Sequence, residues 1–168
     1  MMGPLHEMFL DELHDIYNAE KQLISALPKM AGAASDPKLR KAFESHLEET
    51  RGHFERLEQA FESMEEKVKG KTCEAMKGLV KEGGEIIGKK GDLPDAVVDA
   101  GLIAAAQKVE HYEIASYGTL VTWARMMGHD EVVQLLEETL GEEKAADEKL
   151  NSLAEHGINE HALAATEA

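Results

Sequence analysis

In "QKVEHYEIASYGTL", residues 107 to 120, Glu110 and Glu113 occupy positions where the surrounding helical pattern calls for aliphatic side chains. A carboxylate buried without a partner costs several kcal/mol or surrenders its charge, so two of them on one apolar stripe require a reason. Three other segments break their stripes in the same way. Followed at spacings of three and four, one reads Leu13, Tyr17, Glu20, Ile24, Leu27 and a second reads Leu39, Phe43, His46, Glu49, His53, Leu57. The stripe around Glu110 and Glu113 reads Ile103, Ala106, Glu110, Glu113, Tyr117, Leu120. The last reads Leu136, Thr139, Glu143, Ala146, Leu150, with Asp147 at its edge.

Any one of these acids, taken alone, fits a solvated helix face. Four interruptions near the middles of four helices argue for something else, because in a bundle those middles meet at one level. Glu20, Glu49, Glu110 and Glu143 would then converge in low dielectric, where mutual repulsion raises carboxyl pKa values unless a cation is present. A pair of divalent metal ions resolves the conflict: carboxylates bridge the ions and cancel their charge while imidazoles fill remaining positions. His46 and His53 lie three residues before and four after Glu49, and either reaches the same level; the alternative for each is a hydrogen-bonded core histidine. Glu113 and Asp147 are further candidates, as ligands or as partners that orient ligands. Tyr17 and Tyr117 stand one turn from Glu20 and Glu113, where a phenol bonds a carboxylate, serves as a redox neighbour or simply packs.

The elements that must carry these residues are helices. Only 5% of residues are aromatic, strand-type alternation is missing, and the long segments between Pro and Gly are rich in Ala, Leu, Glu and Lys. A first helix is predicted over about 4–30, ended by "GAASDP". Asp36 before Pro37 is a start signal for a second over about 36–67. A glycine-rich stretch, about 70–93, holds one short helix, "CEAMKGLVKEG". A third long helix is predicted over about 94–127, the turn "GHD" follows, and a fourth runs over about 130–155, closed by Gly157. The tail, 157–168, carries little signal. Two pairs of long helices with tight turns, joined by a long connection, give one all-α domain over 1–168: a ferritin-like four-helix bundle with one long crossover containing a short extra helix.

The chain of 168 residues is long enough to bury a core without covalent staples. Its 33 acidic and 18 basic residues give a formal charge of -15, which repels nucleic-acid phosphates and anionic membranes and attracts cations, so neither nucleic acid nor membrane is expected as a partner. One cysteine, Cys73, rules out an internal disulfide and fits a reducing compartment. The opening "MMGPLHEMFLDELHD" has no basic region followed by an apolar run, and "LIAAA" is far too short to span a bilayer, so the expected location is the cytoplasm. No Gly-rich phosphate loop, zinc-type Cys/His spacing or Ser/His/Asp arrangement is present.

Together, "DELHDIYNAEKQL", "HLEETRGHFERLEQAFE", "CEAMKGLVKEG", "KVEHYEIASYGTL" and "LEETLGEEKAADEKL" resemble the YciF-like family of ferritin-like bacterial stress proteins, in order and over nearly the whole chain. The resemblance implies a bundle with a crossover helix, a homodimer instead of a storage cage, and a part in stress responses. It points to Glu20, His46, Glu49, Glu110, Glu113, Glu143 and Asp147 as the site. The chain departs from the general ferritin-like rule of a glutamate followed three residues later by histidine on two helices, since those positions are Gly52 and Ala146. That leaves an oxygen-rich site suited to manganese or iron. The expected function is redox chemistry on peroxide or dioxygen. Metal sequestration without turnover, and a structural dimer whose polar layer fixes helix register, are the alternatives.

Overall fold

The structure, a computed structural model, describes residues 3–166. Its helices are α1 (Pro4–Ala33), α2 (Pro37–Ser63), α3 (Glu74–Ile87), α4 (Asp95–Met126), α5 (Asp130–Leu153) and α6 (Asn159–Thr166). Asp36 starts α2 by accepting the backbone N–H groups of Lys38 and Leu39 at 2.8 and 3.0 Å, with Pro37 at the first helical position, where its missing N–H costs nothing. At the other end Glu65 turns left-handed, with φ 56°, so α2 stops at Ser63, short of the predicted Lys67. Gly128 takes φ 78° after α4 and reverses the chain into α5, a conformation that costs glycine little.

Chain direction follows from contacts between helix ends. The Asp99 carboxylate, in the second turn of α4, accepts the backbone N–H of Ser35 and Asp36 at 2.8 Å each, just before α2 begins. The starts of α2 and α4 therefore share one end of the bundle and the two helices run parallel, as a long crossover requires. At the opposite end Phe9 of α1 stacks on His129 at the start of α5, ring centroids 6.1 Å apart. In cross-section α1 neighbours α2 and α4, and α5 neighbours the same two.

The crossover helix α3 lies over α1 and α4. Cys73 sits at its N-terminal cap, buried, with Sγ accepting the Met76 N–H at 3.3 Å. The tail, where the sequence carries little signal, also folds. A kinked turn at Ala154–Ile158, with Gly157 at φ 145°, separates α5 from α6, and α6 packs on α4. Only Ala154 and Ile158 of the turn are buried and no α6 residue is, which explains the missing periodic pattern.

Two apolar blocks fill the bundle. Phe9, Leu13 and Phe61 belong to one end, and Leu27, Leu39 and Phe43 to the other. Close packing in both blocks fixes the rotation of each helix, and with it the direction of the polar side chains between them.

Candidate metal centre

Four helices deliver six buried polar side chains to the layer between those blocks: Glu20 from α1, His46 and His53 from α2, Glu110 and Glu113 from α4, Glu143 from α5. The seven-residue spacing of the histidines is two helical turns, so both imidazoles leave the same face of α2, with ring centroids 6.0 Å apart. The six form two groups, His46 with Glu110, Glu113 and Glu143, and Glu20 with His53 and Glu143. Within each group one donor atom from every residue lies within 4.8 Å of all the others. Glu143 belongs to both.

The donor atoms approach without satisfying one another. His46 Nε2 lies 3.1 Å from Glu110 Oε1 and 3.7 Å from Glu143 Oε2. His53 Nδ1 lies 2.8 Å from Glu143 Oε1 and 3.4 Å from Glu20 Oε1. These contacts lack hydrogen-bond alignment, and both nitrogens have no partner. Glu20 Oε2, Glu110 Oε2 and both oxygens of Glu113 and of Glu143 are likewise buried and unpartnered. Orphaned buried polar atoms are rare and costly. A set of this kind, composed of carboxylates and imidazoles, could hold a metal ion.

The outward-facing nitrogen of each imidazole is held. His46 Nδ1 donates to Glu49 Oε2 at 3.0 Å, leaving Nε2 to the cluster. His53 Nε2 donates to Glu142 Oε2 at 2.8 Å, leaving Nδ1 to the cluster. Glu142 is clamped in turn by Arg56, whose Nη1 and Nη2 donate to its two oxygens at 2.9 and 2.8 Å. Outer carboxylates that fix ring orientation in this manner are a recurrent feature of metal-binding histidines.

Burial and charge act against each other across the layer. Glu113 is held well above the usual carboxylate range by burial and by the charges of Glu143, Glu20 and Glu110. Glu143 is pushed up to about 8, by burial first and then by Glu110, against the pull of His53 and His46. Burial alone would raise Glu110, but His46 and its charge hold it below the ordinary value. Burial disfavours a charge on His53, yet Glu143 and Glu20 outweigh it and raise the imidazole to about 10; Glu110 and Glu49 likewise raise His46. Without a cation, protons do the neutralising.

The remaining candidates lie around or away from the cluster. Tyr117 donates its hydroxyl to Glu20 Oε1 at 2.5 Å. Tyr17 does not reach the layer: it stacks on Phe54 with centroids 4.5 Å apart and donates to Glu58 at 3.2 Å. Glu49 is an outer partner of His46, half-exposed, and belongs to neither group. Asp147 also lies outside both, accepting from His111 Nε2 at 3.1 Å and Gln107 Nε2 at 3.4 Å. Glu142 and Arg56 were not singled out by the sequence. Their only signal there is position, Glu142 beside Glu143 and Arg56 one turn after His53. The positions that the ferritin-like rule gives to histidine, Gly52 and Ala146, contribute no donor.

Residues 4–163 match the family described as a domain of unknown function, DUF892. The chain is 51% identical over 162 residues to protein YciF of Escherichia coli K12, an alignment that covers 96% of each. It superposes on the crystal structure of the E. coli stress protein YciF with a TM-score of 0.89 at 51% identity, covering 94% of this chain and 99% of that one. YcfI from Rhodopseudomonas palustris, described as a candidate structural protein, matches with a TM-score of 0.84 at 46% identity, over 89% of this chain and 94% of its own. A Xanthomonas campestris protein at 24% identity and TM-score 0.74, covering 98% of this chain and 99% of its own, shares the fold. Among the described residues no helix is long and apolar enough to cross a membrane.

Proposed function

Since the chain belongs to the DUF892 family and is homologous to a stress protein, we propose that its buried layer is a dinuclear centre for iron or manganese, used in redox chemistry on peroxide or dioxygen. One observation carries this reading: buried donor atoms of Glu20, His46, His53, Glu110, Glu113 and Glu143, several without a hydrogen-bond partner, converge as two groups that share Glu143. When bound, such metals supply one-electron redox steps and Lewis acidity.

The chain's own residues do the rest. Glu49 and Glu142 hold the imidazoles so that His46 Nε2 and His53 Nδ1 face inward. Tyr117 fixes one oxygen of Glu20 and leaves Oε2 free as a donor. Glu113 and Glu143, which resist ionisation by themselves, release their protons when a cation takes over neutralisation. The homodimer implied by the family resemblance is part of the same proposal, and the size of the protein in solution tests it.

The deciding experiment is elemental analysis of protein purified without chelator, alongside Glu110→Ala, Glu143→Ala and Asp147→Ala. About two iron or manganese ions per chain, lost in the two glutamate variants and kept in Asp147→Ala, is the expected result. Peroxide consumption by the loaded protein then tests turnover. A protein that stays metal-free after reconstitution, with helicity unchanged in the variants, would return the layer to the register-fixing role.

A further inference from the structure

Beside the layer lies a cavity of about 120 Å³, and its lining is uneven. The floor contains His46 and Glu110, two members of the four-residue group. The walls are apolar, with Leu27 from α1, Phe43 from α2 and Leu150 from α5. Its exposed lining residues, Ser45, Glu49, Ala145 and Lys149, sit on α2 and α5 only, so the opening lies between these helices. Ala146, half-buried, lines it as well. That is a position where the ferritin-like rule places an imidazole, which would fill the space a methyl group leaves open.

We infer that this cavity is the approach to the centre and that it takes a small, uncharged molecule with a hydrocarbon body and one polar end, of the class of short-chain alkyl hydroperoxides. A dry apolar cavity of about 150 Å³ holds benzene, so the space accommodates a body of roughly four to six heavy atoms. Leu27, Phe43 and Leu150 would bury that body, while the polar end meets the polar floor, the usual division of labour in a ligand pocket. Charged molecules are disfavoured because Lys149 and Glu49, the charged lining residues on exposed positions, belong to the mouth, while the walls farther in are apolar and the layer already carries several carboxylates. The hydroperoxide function rests on the redox reading above; the size and polarity of the ligand do not.

tert-Butyl alcohol, the unreactive counterpart of tert-butyl hydroperoxide, serves as the probe for binding to the full chain, metal-free and metal-loaded, followed by NMR shifts of the backbone amides. Shifts concentrated at Val109, Ala145 and Ala146, weakened at least about tenfold in Ala146→Leu with the metal-to-chain ratio unchanged, are the expected result. If that variant folds poorly, Ala145→Leu narrows the exposed mouth without overpacking the core and is expected to act likewise. No shift at these amides up to about 10 mM probe, or shifts that both substitutions leave intact, would overturn the inference. Probe binding in a protein that never takes up metal would instead sink the redox reading and leave the cavity assignment standing.

Discussion

The hydroxyl of Tyr117, on α4, donates to Glu20 Oε1, on α1, at 2.5 Å, with both side chains fully buried. This bond crosses the bundle and fixes one carboxylate of the proposed centre. Burial, and then the charges of Glu20 and Glu113, hold the phenol well above its usual pKa, so it stays a donor throughout the ordinary pH range. In Tyr117→Phe the expected loss is about 1–3 kcal/mol of metal-free stability, since Glu20 keeps its burial and loses its partner. Metal affinity should fall by roughly ten- to a hundredfold with stoichiometry retained. Urea unfolding and metal titration read the two effects separately; an affinity equal to that of the parent would reduce Tyr117 to a packing residue.

Glu142 positions His53 by accepting its Nε2–H. Glu142→Gln keeps size and an acceptor but removes the charge, and leaves the Arg56 clamp with a neutral partner. We expect an affinity loss of about tenfold or more, with two ions still bound at saturation. Isothermal titration with Mn(II) measures both, and a loss of one ion per chain would make Glu142 a ligand itself.

Metal-free and metal-loaded proteins should differ in their response to pH. Folding raises His53 from 6.5 to about 10, a stabilising contribution complete below 6.5 and lost by about 10. Folding also raises Glu143 from 4.5 to about 8, so its contribution is complete below 4.5 and lost by about 8. Both act in the same direction, and their windows overlap between those two middle values, near neutral pH. Metal-free protein should therefore lose stability most steeply as pH rises from about 6.5 to 8. On the proposed reading bound cations would replace the protons, so the loaded protein should show a flatter profile and an affinity that increases with pH. Thermal melts of both forms across this range check the expectation; parallel profiles would contradict it.

Asp99 joins the α1–α2 turn to α4 through two backbone N–H groups, at the end of the bundle and about three turns before Glu110 on the same helix. Asp99→Ala strips both donors of their acceptor and is expected to cost about 1–3 kcal/mol. The unfolding midpoint in urea should fall accordingly while the metal-to-chain ratio stays the same, which separates a defect of the bundle end from one of the centre.

The sequence by itself determined the four long helices, the crossover and the level of the polar layer, because each depends on periodicity along a single helix. Glu20, Glu110, Glu113 and Glu143 interrupt apolar stripes at spacings of three and four, and burial follows from their neighbours on the same stripe. The α6 helix escaped because no residue on it is buried.

Tertiary structure alone decided which residues at the stripe edges turn inward. Glu49 continues the α2 stripe, yet it projects to the rim and supports His46; Glu142, one residue off the α5 stripe, reaches His53 instead. Successive residues on a helix are about 100° apart and an apolar face is about as wide, so an edge residue is assigned only by the helix packed against it. For Tyr17 and Asp147 that neighbour supplied Phe54 with Glu58, and His111 with Gln107, and both were drawn away from the centre.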